Sequence, residues 1–173
     1  MKKLFVLLFI FIISALFAQN QQKTGYVDSQ IILAQFPPAI KAQSDLDALA
    51  AKWQKARDSM VTVLQNSYQD YEKQREMMSP DKQKEVQQQL VLKQQDIQRY
   101  EQQKFGQPNG ELYKKNEELL TPIKEKIMDA IAQVAKDEKM TFVFDKSGDV
   151  LLLYAEPDFD ITYKVLDRLK RGK

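Results

Sequence analysis

With no histidine and no cysteine in 173 residues, the chain can do chemistry only with carboxylates, amines, guanidiniums and hydroxyls. Zinc and copper sites, Cys-His dyads, Ser-His-Asp triads and disulfide frameworks all lack their obligatory atoms. Two local clusters are left to weigh. Lys146-Ser147-Gly148 sets an amine beside a hydroxyl, the composition of a Ser-Lys nucleophile. Adjacent residues in a tight turn rarely face one another, so the segment reads as a turn. Asp158 and Asp160 are the other candidate, for a hard cation. One loop carboxylate and one capping carboxylate fall short of the roughly six oxygens calcium takes, and capping is the better reading. The expectation is a protein that binds and shapes: no enzyme, no cofactor and no metal.

The elements that would position a binding surface begin after a targeting segment. Lys2 and Lys3 precede fourteen uncharged residues, Leu4 to Phe17, and Ala18 follows. This reads as a secretory signal peptide over residues 1–18, cut between Ala18 and Gln19, because a spanning helix wants about 20 apolar residues. No cysteine follows to carry a lipid. Export takes two lysines and no acid from 26 basic residues, leaving a balance with the 24 acidic ones. A neutral surface has no general attraction for phosphates, so nucleic acid is not an expected partner.

Between Pro38 and Gly106 the sequence holds no glycine and a single proline, Pro80, in a background of Ala, Gln, Leu, Lys and Glu, which predicts long helix. Leu46, Leu49, Trp53, Ala56, Met60 and Val63 alternate spacings of three and four, with Ala50, Leu64 and Tyr71 widening the stripe, as in a coiled-coil seam. At Met77-Met78-Ser79-Pro80-Asp81 the chain is expected to turn back, with Ser79 as N-cap and Pro80 in the first helical position. The returning arm has a thin apolar face of Val86, Leu90, Ile97 and Tyr100, interrupted by Lys93 and Lys104. Phe105 to Gly110 must break it. Helix then resumes with Leu112, Leu119, Ile123, Ile127, Ala130 and Val134 on one face, and Pro122 is expected to kink it.

The two ends differ from this middle. Lys23 to Asp28 reads as a strand leading into a helical turn capped by Asp28 or Ser29. Thr141 to Phe144 and Val150 to Tyr154 read as two strands of a hairpin about Asp145-Lys146-Ser147-Gly148-Asp149. Asp160 then caps a closing helix bearing Ile161, Val165, Leu166 and Leu169. The fold class is therefore α+β: a small β body (residues 19–38 and 139–173) with a long α-helical hairpin (39–138), its tip near 77–81 and a break near 105–110. Three short strands are near the minimum for an independent sheet, and an unbroken apolar run such as Val150 to Tyr154 wants both faces covered. Self-association through Tyr26, Val27, Phe142, Phe144, Leu151, Leu152 and Leu153 is the expectation.

Gly25-Tyr26-Val27-Asp28-Ser29, the charged Gln-rich middle, Ile127 to Ala135 leading into Phe142-Val143-Phe144-Asp145, and Tyr154-Ala155-Glu156-Pro157 before Asp160-Ile161-Thr162 resemble the periplasmic chaperones of the Skp, or OmpH, family. The resemblance implies a homotrimer, with helical arms around a cavity, that holds unfolded outer-membrane β-barrel proteins in the periplasm without ATP. Barrel strands expose alternate apolar residues, and in water these are an aggregation template. Many weak contacts spread over several arms would supply the affinity. Flexible Met and amphipathic aromatics suit such a lining, making Met60, Tyr68, Tyr71, Met77, Met78 and Tyr100 candidates for client contact. Those at helical spacing, Met60 and Tyr71 among them, have the competing reading of helix-pair seam.

Arg168, Lys170 and Arg171 could meet lipid or lipopolysaccharide headgroups, but cations in a last helical turn are explained by the dipole alone. The alternative function is a coiled-coil adaptor of the cell envelope that grips one folded partner.

Overall fold

A computed structural model describes residues 22–149 and 151–172. The expected signal segment with its cut between Ala18 and Gln19, and Val150, lie outside the described residues. The element order is β1 (Thr24–Val27), α1 (Ser29–Gln35), α2 (Pro37–Gln74), α3 (Pro80–Phe105), α4 (Glu111–Asp137), β2 (Phe142–Asp145) and α5 (Thr162–Arg171), with single 3-10 turns at Arg75–Met77 and Pro157–Phe159. Two compact units emerge. One joins the chain up to Ile32 with the chain from Asp129 onward, and the other is Leu33–Met128.

Helix boundaries follow local chemistry. Asp28 Oδ1 accepts the Ile31 N–H at 2.9 Å and starts α1. Phe36, which precedes Pro37, is extended at φ −89° and ψ 111°, as a residue before proline must be, and it separates α1 from α2. α2 then runs 38 residues, about 57 Å at 1.5 Å per residue. At the tip Ser79 takes the N-cap position and accepts the Lys82 N–H, with Pro80 and Asp81 in the first turn. Gln83 reaches back from α3, its Nε2 donating to the carbonyls of Arg75 (2.9 Å) and Met78 (3.2 Å). That side chain satisfies orphan acceptors at the end of the outgoing limb.

α3 ends at Phe105, and α4 begins at Glu111 and continues through Pro122. Its predicted face is the buried one, with Ile123, Ile127, Ala130 and Val134 all covered. The helix ends in a left-handed residue, Lys139 (φ 55°), and the Met140 N–H bonds to the Ala135 carbonyl at 2.8 Å, a Schellman-type stop.

The sheet has two strands where three were expected. β1 and β2 pair in parallel, Thr24 opposite Phe142 through Val27 opposite Asp145. Parallel neighbours need a crossover, and here the helices between them provide it. On the other edge of β1, Tyr26 bridges Asp160, and its carbonyl accepts the Ile161 N–H at 3.0 Å. Among the described residues the expected hairpin is absent. The turn at Asp145–Gly148 is present, with Gly148 N–H on the Asp145 carbonyl, yet Leu151 to Tyr154 forms no strand. Leu151, Leu153 and Tyr154 are 82%, 87% and 78% exposed. A strand here would carry apolar side chains on both faces, and among the described residues no layer covers the second.

Candidate functional site

In the unit built from the chain ends, the polar residues of the sequence motifs join to backbone. Asp28 donates its N–H to Thr162 Oγ1 at 2.9 Å. The buried Thr162 in turn donates its own N–H to Asp160 Oδ1 at 2.9 Å. Asp160 thus serves the start of α5 from the residue before the N-cap, which is Ile161. The Lys146 ammonium sits between the Asp28 and Asp160 carboxylates, at 3.6 and 3.7 Å, and 5.6 Å from the centre of the Tyr26 ring.

Asp145 Oδ1 accepts from the N–H groups of Ser29 (3.1 Å) and Ser147 (3.0 Å) and from the Ser147 hydroxyl (2.7 Å). Burial pushes the Asp145 carboxyl up, but the hydrogen bonds from Ser29 and Ser147 outweigh it and hold the group below its ordinary range. Lys146 and Ser147 are therefore directed to different partners. Glu138 is also held low, first by the Lys164 hydrogen bond and then by the charges of Lys164 and Lys23, against the cost of burial. At the end of α5, Arg168 pairs with Asp137 and Arg171 with Asp167.

The same unit carries an uncovered apolar surface. Gly25, Tyr26, Phe144, Leu152, Tyr154 and Phe159 line an open hollow of 980 Å³. A Cβ on Gly25 would lie 2.2 Å from the Met140 sulfur, so only glycine lets that side chain lie against β1. Of the residues expected to mediate self-association, Phe142, Phe144, Leu151 and Leu153 are exposed, and Tyr26 and Leu152 are half-buried. Val27 is the exception. It is covered within its own chain, because alternate residues of a strand face opposite ways and Val27 points into the core with Ile32, Ile161, Val165 and Leu166.

In the helix pair the seam is thin and partly polar. Leu46 and Tyr71 are buried on α2, and between them Leu49, Trp53, Arg57, Met60, Leu64 and Ser67 are half-buried. Arg57 thus takes the place expected for Ala56, and Leu64, expected to widen the stripe, is covered where Val63 is exposed. A helix near 3.6 residues per turn carries a strict 3.5 repeat away from its partner.

Leu90 and Ile97 are the buried residues of α3. Cross-links between the limbs are polar: Arg57 to Glu101 at 3.4 Å, Lys93 Nζ to Ser67 Oγ at 2.6 Å, and Gln87 Nε2 to the Tyr71 hydroxyl at 2.7 Å. The Arg57 guanidinium is held above its ordinary range, chiefly by the Asp58 hydrogen bond and charge, with Glu101 adding to it. Lys93 interrupts the stripe without breaking the pair, because its long stem carries the ammonium to a hydroxyl at the seam edge.

The candidate client residues fall into two groups. Tyr71, 6% exposed, belongs to the seam and presents no free surface. Met77 is 81% exposed at the tip, Tyr68 is exposed, and Met60, Met78 and Tyr100 are half-buried. Further exposed apolar side chains on this unit are Ile40, Val63, Val91, Leu92, Tyr113 and Met128. These breaks in the polar faces were visible in the sequence, but only a fixed helix phase tells them from the seam.

The fold has a solved counterpart in a "putative outer membrane chaperone (OmpH-like)" from Caulobacter crescentus. The two align with a TM-score of 0.72 at 16% identity, over 90% of this chain and 88% of that one. A comparison with curated proteins gave no significant match. A family model described as outer membrane protein (OmpH-like) matches residues 23–169, which takes in both sequence motifs, the helix pair and the closing helix, and the chain belongs to the OmpH-like family.

Proposed function

We propose that this protein is an ATP-independent holdase that acts in the periplasm, after removal of residues 1–18, and binds unfolded outer-membrane β-barrel proteins. The carrying observation is the set of exposed Met, aromatic and branched apolar side chains strung along a helix pair whose own seam is thin, from Ile40 through Tyr68 and Met77 to Leu92 and Tyr113. Scattered apolar contacts on a long polar rod suit a ligand with alternating apolar residues and no fixed shape, because affinity accumulates from many weak contacts. Membership of the OmpH-like family and the words "outer membrane chaperone" attached to the structural counterpart support the client class.

The same reading has the chain assemble as a homotrimer. Phe142, Phe144, Leu151, Leu153 and Tyr154 leave an apolar surface of the kind that copies of a chain cover for one another. In the test, a urea-unfolded β-barrel protein is diluted into the processed protein without nucleotide while turbidity and, separately, the mass of the free chaperone are followed. Suppressed aggregation and a trimeric mass are expected. Undiminished aggregation at several-fold molar excess of trimer removes the proposal.

A further inference from the structure

The returning limb of the helix pair is cut between Phe105 and Glu111, whereas α2 runs from Pro37 to Gln74 without a break. One side chain spans the cut. Lys104, in the last turn of α3, places Nζ 2.5 Å from Glu111 Oε1 in the first turn of α4. The same ammonium lies 4.9 Å from the centre of the Trp53 ring on α2 and 5.9 Å from that of Tyr100. Phe105 completes the cluster, its ring edge-on to Trp53 at 6.2 Å. The Lys104 side chain is 20% exposed, so its charge is partly withdrawn from water and each of these attractions gains strength. A single charge thus ties α2, α3 and α4 at one level.

The segments on either side of the cut are held differently. α3 buries only Leu90 and Ile97, with Val86, Tyr100 and Phe105 half-buried, and its hydrogen bonds to α2 come from long polar side chains at the seam edge. α4 buries Ile123, Ile127, Ala130 and Val134 along one continuous face. Opening free energy follows buried apolar contact, so α3 is the segment that comes away first. Gly106 and Gly110 flank the exposed Gln107, Pro108 and Asn109, five residues outside any helix in which a swing can be absorbed.

We propose that Lys104 is a clasp and Gly106–Gly110 a hinge. With the clasp closed α3 lies on α2; with it released α3 separates while α4 keeps its packing, and Trp53, Leu64, Tyr71, Leu90 and Ile97 become a second apolar stripe. The use of that stripe rests on the holdase reading, but the hinge is tested without any client.

The experiment is hydrogen exchange on the processed chain, comparing α3 peptides with α4 peptides in wild type, Lys104→Met and Lys104→Arg. Wild-type α3 is expected to exchange at least about tenfold faster than α4. Lys104→Met speeds α3 by about another tenfold and leaves α4 unchanged, and Lys104→Arg stays close to wild type. Trp53 is the only tryptophan, and its emission moves to the red in Lys104→Met as the ring gains water. The milder Glu111→Gln, which keeps the cation over the rings, gives a rise of about threefold and serves if Lys104→Met does not fold. Exchange of α3 and α4 as one unit in wild type overturns the hinge. Protection of α3 within twofold of wild type in folded Lys104→Met and Glu111→Gln overturns the clasp.

Discussion

The unit built from the chain ends and the helix pair tie their central polar side chains to different things. In the first, Asp28, Asp145, Asp160 and Thr162 meet backbone N–H groups, so each bond fixes the path of the chain as well as a side chain. In the second, Arg57, Lys93 and Gln87 meet other side chains at the edge of a seam. Long side chains hold by their ends and can let go and rejoin, whereas a short carboxylate on a backbone amide cannot move without moving the fold. Short polar residues near chain turns therefore build a rigid seat, and long ones between helices build an adaptable limb.

The sharpest way to break that contrast is at Val165, which is fully buried. Val165→Asp is expected to cost more than about 4 kcal/mol and to abolish cooperative unfolding, because an unpaired charge has no partner there. Circular dichroism against urea reads the outcome, and a midpoint close to wild type would mean that this core is loose. Leu90→Ala tests the limb. A cost of about 2 kcal/mol, near the low end for such truncations, is expected because the seam is narrow and water reaches its edges, and the same urea titration measures it. A cost as large as that at Val165 would erase the difference between the regions.

The smallest effect concerns acid. Asp145 has its folded pKa depressed, so its contribution is full above the unfolded value near 3.9 and is lost as pH falls through the lower folded value. Asp145→Asn is expected to flatten the acid limb of the stability curve by under about 1 kcal/mol. An unchanged slope below pH 4 would assign that limb to other carboxylates, Glu138 first among them.

Much of this architecture was legible because it is local. The Ser79-Pro80 restart, the Asp28 cap and the apolar face of α4 each follow from a few consecutive residues whose backbone donors or periodic side chains need a partner nearby. The α+β class with a long helical hairpin followed from the same signals. Leu151 to Tyr154 misled for a reason of the same kind: its composition is that of a strand, but a strand exists only where a neighbour and a cover exist. Among the candidate site residues, spacing placed Met60 and Tyr71 in the stripe and not Tyr68, but how far each is covered depends on a few degrees of helix phase.

The sequence by itself determined where helices start and stop, that imidazole and thiol chemistry are absent, and that 26 basic residues nearly balance 24 acidic ones. Tertiary structure alone decided that β1 and β2 pair in parallel, that Val27 belongs to the core, that Arg57 enters the seam, and that Lys104 meets Trp53 and Glu111. The division is physical. Caps and turns are set by hydrogen bonds a few residues long, whereas register, phase and burial depend on groups that come close in space only after the whole chain has closed on itself.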